Sequence, residues 1–381
     1  MGSVYDTLKK LSGHTQFEAR TSNRYALVTR KNRNIETAYY FSSPIFNHST
    51  GKIVEPTFTL QDQYYRYEGS SGTVKICGEH IVLIHKQEEI RLLWEKKQNF
   101  ILSPNSSSLR SDDMIIFPTC NGIAIKCKLS DSPKTTVFLQ TMNHYAVQTN
   151  SKYFALMKSK FEPLVTLSAM FAENRYRDFF SGITLNAQKQ TDDSYKLELL
   201  ATNPQSCQLT YEINLYEPKL IQDTTVESYR PNENNAYGSI SFLGRSPHCG
   251  KQILYTKIDD SKIETLPDYK INTAKLHIPY YTVSGNAFLL SVPTSRFCSF
   301  GSTWKNKISF SRATLEGTQT NGFITFNVSP YVLTPKGEWK TNVGFVVQSK
   351  SDHFSIIATG DNYYTPQILE IQYSKKEGEK L

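Results

Sequence analysis

Chemistry in a sequence starts with nucleophiles, bases and carboxylates spaced so that they can meet. The densest such group here is Gly244-Arg245-Ser246-Pro247-His248-Cys249-Gly250, where a hydroxyl, an imidazole and a thiol stand almost side by side. A catalytic triad instead converges from distant positions, because its members face one another across a cleft. Neighbours flanked by Gly and Pro read as the tip of a hairpin. The acid pairs Asp112-Asp113, Asp192-Asp193 and Asp259-Asp260 raise calcium ligation or a glycosidase carboxylate pair. Each falls where a turn is predicted, and turn chemistry accounts for it. His80 and His85 lie on opposite faces of one predicted strand and cannot chelate a single ion. The six cysteines (Cys77, Cys120, Cys127, Cys207, Cys249 and Cys298) include no pair at zinc-knuckle or thioredoxin-like spacing. They are too few for a disulfide scaffold and read as small apolar residues kept reduced. Phosphate-binding, dinucleotide, metalloprotease and nucleophile-elbow motifs are all missing. The residues therefore imply no enzyme, no catalytic residue, no metal and no cofactor, with a glycan-cleaving enzyme as a distant third reading.

Binding is the better-supported class. The net charge of +8 comes from 43 Lys and Arg against 35 Asp and Glu, spread along the chain. Such a balance serves solubility, or attraction to an anionic surface. Between Lys9 and Arg33 seven basic residues meet one acid, Glu18. Of these, Arg20, Arg24, Arg30, Lys31 and Arg33 are the candidate partner contacts of a basic arm, free in solution or docked on an acidic subunit. Nucleic acid is disfavoured, because no base-stacking aromatics are interleaved with the cations. The pairs Tyr280-Tyr281 and Tyr363-Tyr364 are candidates for stacking on the sugar rings of a cell-surface glycan.

The elements that must position these groups are strands. Aromatics make up 12% of the chain, led by 23 Tyr and 21 Phe, and they suit pleated, half-buried surfaces. Short alternating runs bounded by Gly, Pro or Asn recur throughout. The clearest is Gln208–Tyr216, with Leu209, Tyr211, Ile213 and Leu215 on one face and Thr210, Glu212 and Asn214 on the other. Ser151–Lys158 and Leu164–Phe171 fit a strand or a helix equally. Residues 3–12 predict a short helix, with Ser3 as its cap and Val4, Leu8 and Leu11 on one side. So short a helix needs something to pack on, its own domain before a neighbouring subunit. Glu217-Pro218 breaks the strand pattern and places a domain boundary there. No 20–50-residue period repeats, which excludes a solenoid or propeller.

The last third carries a resemblance. Its quoted features are Asp223-Thr224, the Asn-rich run Asn232–Gly238, Ala274–Ile278, Trp304 with Asn306, Gly322–Val328, Trp339 with Asn342 and Gly344, and Pro366–Tyr373. In order and spacing they resemble the bacterial DNRLRE-domain family, a disulfide-independent, jelly-roll-like β-sandwich of secreted, surface and phage-associated proteins. Phe300-Gly301-Ser302 stands before Trp304 where the family pattern is acidic. The upstream region, through Ile35-Glu36, Ser43-Pro44-Ile45-Phe46 and Cys120-Asn121-Gly122-Ile123, is similar to stretches that precede such domains in Firmicutes surface proteins. The resemblance implies a scaffold, and some relatives are expected to bind acidic polysaccharides. Trp304 and Trp339 read as core-fillers beside turns, and Gly344 as a bulge or close backbone approach.

The expected architecture is all-β, two β-sandwich (jelly-roll-like) domains with a short N-terminal helix and arm. The segments are 1–34 (helix and basic arm), 35–218 (first β domain), 219–373 (DNRLRE-like sandwich) and 374–381 (charged tail). Met1-Gly2-Ser3-Val4-Tyr5-Asp6 lacks the apolar core of a signal peptide, and no run approaches the ~18 apolar residues that span a bilayer. The expected function is that of a non-enzymatic structural or adhesion subunit of a bacteriophage-like particle or bacterial surface assembly. It would be a homo-oligomer or contact other subunits, assembling in the cytoplasm into a virion or extracellular particle, or standing on the cell surface. The alternative is a carbohydrate-binding protein for acidic polysaccharide.

Overall fold

A computed structural model describes residues 4–19, 23–32, 34–103, 107–129, 132–176, 180–191, 193–284, 287–312, 314–350, 352 and 354–376. The fold is all-β: strand occupies about 53% of the chain and helix about 5%, all pairings being antiparallel. The chain forms two compact units. Among the described residues no helix is long and apolar enough to cross a membrane.

The first unit holds residues 47–217, with 237–239. It is a sandwich of a nine-stranded and an eight-stranded sheet. Gln208–Leu215 lies at the centre of the first sheet, between Gly122–Lys128 and Glu162–Glu173. Its alternation is the source of the core. Leu209, Tyr211, Ile213 and Leu215 are fully buried and meet Leu83, Leu92, Leu139 and Leu197 of the facing sheet. The opposite face is buried as well, with Glu212 accepting a hydrogen bond from Ser239 Oγ at 2.8 Å. The two ambiguous runs are strands, Tyr153–Ser159 and Glu162–Glu173, paired with each other. Eleven of the twelve residues of Glu162–Glu173 are buried. A central strand enclosed on both faces shows no period, which is why pattern alone could not separate it from a helix.

The second unit holds residues 2–46, 218–236 and 240–381. Its strands form one fourteen-stranded order that folds back on itself. The long strand Tyr269–Thr282 pairs with Ile368–Lys375 along most of its length. It then passes a register shift and pairs with Ser355–Ala358. Ile240–Ser246 pairs with Ser355–Ala358 first and with Gly250–Ile258 after Gly244, so the order turns a second corner there. Leu276, Leu369 and Ile371 from one end thus share a core with Leu254, Leu290, Phe345 and Val347 from the other. Gly344 stands at a positive φ of 99°, and a Cβ there would lie 2.7 Å from the Thr256 carbonyl oxygen, the close approach its sequence position suggests. The Ser-His-Cys stretch is the hairpin turn between Ile240–Ser246 and Gly250–Ile258.

The expected basic arm is different in the structure. Ala26–Asn32 pairs with Ile35–Phe41, and Ile35–Phe41 pairs with Ile368–Lys375, so this segment belongs to the sheet of the second unit. Residues 35–46 likewise belong with the C-terminal strands and not with the domain beginning at 35. The pairing partner lies more than three hundred residues away, beyond the reach of any local pattern. The helix spans Val4–Ser12 and buries Val4 and Leu8; Ser3, its expected cap, lies outside the described residues. Tyr5 meets Phe17 at 6.2 Å and Phe17 meets Tyr39 at 6.0 Å between ring centroids, so the helix packs on its own unit.

Near Tyr39, His277 bridges two strands: Nε2 is 3.2 Å from Glu370 Oε2 and Nδ1 is 2.8 Å from Thr325 Oγ1. Burial works to raise the Glu370 carboxyl, but the His277 hydrogen bond and the His277 and Lys275 charges outweigh it and hold it below its ordinary value. A carboxyl held down in the fold stabilises it above the unfolded pKa, and that contribution is lost as pH falls through the folded value. In urea titrations from about pH 5 to about pH 3, the wild-type midpoint should fall more steeply than that of Glu370→Gln. Parallel curves would contradict this role for Glu370.

Candidate functional site

The most unusual polar arrangement lies in the second unit, where Lys219, Asp223 and Asp361 are all buried. Lys219 precedes the strand Ile221–Glu227, which carries Asp223 and pairs along its length with Gly250–Ile258. Lys219, Leu220 and Ile221 are buried in succession, and Asp223 is buried two residues into the strand. Asp361 comes from the turn between Ser355–Ala358 and Ile368–Lys375.

Lys219 Nζ lies 3.8 Å from Asp361 Oδ1 and 3.3 Å from the centroid of the Tyr363 ring, which is itself buried. Asp223 Oδ2 accepts the backbone N–H of Gly360. Burial drives the Asp223 carboxyl well above its ordinary value, and the neighbouring Asp361 charge adds to that; the Gly360 N–H and Lys219 pull the other way. Burial also raises Asp361, against the opposing pull of Lys219. The cluster thus confines an amine, one carboxyl paired with it and a second carboxyl held toward its protonated form, away from water.

The turn around Asp361 is firmly built. Asn362 Nδ2 donates to Tyr281 Oη at 2.9 Å, and Asn362 Oδ1 accepts the Thr365 N–H at 2.6 Å. Tyr281 Oη also lies 2.6 Å from Thr365 Oγ1. Ser42 ties the two arms of the site together, its carbonyl accepting from Leu220 N at 2.8 Å and its N–H donating to Gln367 O at 2.9 Å.

The sequence-chosen contacts scatter. Arg20 and Arg33 lie outside the described residues. Arg24 Nη2 donates to the Phe46 carbonyl at 3.1 Å, and Arg30 pairs with Glu18 at 3.1 Å and Glu36 at 3.3 Å. Lys31 is exposed. Tyr280 packs on the core, Tyr281 serves the 359–366 turn, Tyr363 is buried over Lys219, and Tyr364 is half-buried. The two tyrosine pairs are therefore parts of the fold more than an open sugar platform. Asp259 caps a short 3₁₀ turn by accepting the Ser261 N–H, and Asp260 accepts from Trp339 Nε1 at 2.8 Å. Asp192 lies outside the described residues. Among the described residues no three His, Cys, Asp or Glu side chains gather as a metal-holding group.

In the first unit, a cavity of 290 Å³ is lined by Trp94, Lys96, Asp113, Lys128, Lys134 and Tyr211, among others. Lys96 pairs with Asp113 at 2.5 Å, and Lys134 with Glu198 at 3.1 Å.

No protein-family profile and no curated protein matches the chain. Among solved structures, one similar chain is a glycoside hydrolase family 81 enzyme from Clostridium thermocellum, at 12% identity and a TM-score of 0.21. The match covers 82% of this chain but only 42% of the hydrolase. Another is the N-terminal domain of the Streptococcus gordonii adhesin Sgo0707, at 9% identity, with 95% of each chain covered and a TM-score of 0.18. Similarity at that level carries no weight for function.

Gly360 makes the site possible. A Cβ there would sit 2.2 Å from the Ile221 carbonyl oxygen and 3.2 Å from Asp223 Oδ2, with backbone on the crowded side. Gly360→Ala should therefore cost about 2–3 kcal/mol in chemical denaturation. Gly301→Ala, whose nearest neighbour would be 3.9 Å away, should stay within about 0.5 kcal/mol of wild type. Equal effects of the two would contradict the close approach.

Proposed function

We propose that the chain is a non-enzymatic structural or adhesive subunit of a bacterial surface or phage-like particle assembly, joining partners through its sheets. The observation that carries this is the state of the sheet edges in the first unit. The eight-stranded sheet ends in Thr59–Gln61 and the nine-stranded sheet in Ile101–Leu102, both short strands. Leu60 is 66% exposed and Ile101 72% exposed. A strand edge offers unpaired N–H and C=O groups; edges this short limit strand addition, so the exposed apolar side chain at each is what favours contact with another chain. The sealing of Lys219, Asp223 and Asp361 inside the core supports the same reading, since polar chemistry placed there serves the fold and not a diffusing substrate. The resemblance of residues 223–373 to the sandwich modules of surface and phage-associated proteins points the same way.

A second reading has its own observation. The cavity beside Trp94 gathers Lys96, Lys128 and Lys134 around an aromatic ring, with Lys96 and Lys134 already paired to Asp113 and Glu198, a chemistry through which an acidic polysaccharide could be held. Size-exclusion chromatography with light scattering, run beside retention on an acidic-glycan resin, separates the two. The structural reading expects an oligomer that Leu60→Lys with Ile101→Lys reduces to monomer. A monomeric wild type retained by the resin would overturn it in favour of the glycan reading.

A further inference from the structure

We infer that Lys219 and Asp361 are joined covalently, the lysine Nζ condensing with the aspartate Cγ to form an amide cross-link inside the second unit. The amine and the carboxyl oxygen lie 3.8 Å apart, and both groups are buried. Holding two reactants in contact in this way converts a slow bimolecular condensation into an intramolecular one.

The step balances without any outside reagent. Lys219 enters as an ammonium and Asp361 as a carboxylate. A C–N bond forms at Cγ, one Cγ–O bond breaks, and the departing oxygen leaves as water with two protons from the nitrogen. Asp223, whose Oδ2 accepts the N–H of Gly360 next to Asp361, is the group to which we give the proton transfer: its acid form would donate one proton to the departing oxygen and recover one from the amine, ending unchanged. Burial, with the neighbouring Asp361 charge, pushes that carboxyl toward its acid form. The ring of Tyr363 covers the amine, and exclusion of water favours the amide over its hydrolysis. Asn362, the neighbouring side-chain amide, is held in the turn by Tyr281 and Thr365, which leaves Asp361 as the acceptor. The bond would tie the entry of Ile221–Glu227 to the turn before the last strand, closing a loop of roughly 140 residues, and long closed loops restrict the unfolded chain most. It would form whatever partners the chain has.

Mass spectrometry of the intact, folded chain is the test. The expected mass is about 18 Da below the sequence value, the loss of one water. A protease digest should yield one branched peptide joining the Lys219 and Asp361 segments. Asp361→Asn should instead lose about 17 Da, as ammonia replaces water as the leaving group. Lys219→Arg should keep the full mass, and so should Asp223→Asn, each with a β-type circular dichroism spectrum. Full mass in the wild type overturns the inference, as does a water loss mapped to a single linear peptide. A cross-link that still forms in Asp223→Asn overturns the role given to Asp223.

Discussion

Hydrogen bonding on both edges of Ile368–Lys375 is the constraint on which the second unit depends. One edge pairs with Ile35–Phe41 and the other with Tyr269–Thr282, so the last strand of the chain is an interior strand. An interior strand must satisfy its backbone on both sides and bury side chains on at least one face. Leu369, Ile371 and Tyr373 do this, and Tyr373 Oη lies 3.0 Å from Tyr40 Oη within the same core. Had Ile35–Phe41 paired within a domain running from 35 to 218, as its position in sequence suggests, this strand would have one unpaired edge.

The same placement creates the buried cluster. The turn that leads into Ile368–Lys375 is anchored at both ends, by strand pairing and by Ser42, and it carries Asp361 to the lysine that follows Pro218. Charges enter a core only when paired, because an isolated one costs several kcal/mol to desolvate. A lysine, two carboxyls and an aromatic ring in one enclosed space meet that condition and bring reactive groups together. The chemistry of this protein is turned inward, while the apolar strand edges of its first unit face outward.

Much of the architecture was legible in the sequence. Leu209, Tyr211, Ile213 and Leu215 reported a buried face because strand side chains alternate strictly, and the same logic located most of the other strands. Which strand pairs with which was not legible. The partner of Ile35–Phe41 is set by three-dimensional closure, and Lys9 to Arg33 reads as a solvated arm because its seven basic residues outnumber its short apolar run, Ala26-Leu27-Val28. The buried cluster left one faint trace: Lys219 and Asp223 stand two residues either side of the apolar Ile221. Beside Glu217-Pro218 the lysine looked like part of a linker. Asp361 gave no trace, since Gly360-Asp361-Asn362 has an ordinary turn composition, and Tyr363 stood out only as half of a tyrosine pair. The tyrosine pairs misled for a related reason: adjacent tyrosines look exposed in sequence, but Tyr281 bonds the 359–366 turn and Tyr363 is buried over Lys219.

Native-state hydrogen exchange tests the central claim most directly, that the N-terminal strand is an integral part of the second unit's sheet. Amides in Ile35–Phe41 and Ile368–Lys375 that bond across this pair should exchange at one common slow rate, through the same opening that unfolds the unit. Exchange in Ile35–Phe41 that runs orders of magnitude faster, while Ile368–Lys375 and Tyr269–Thr282 stay protected, would contradict it.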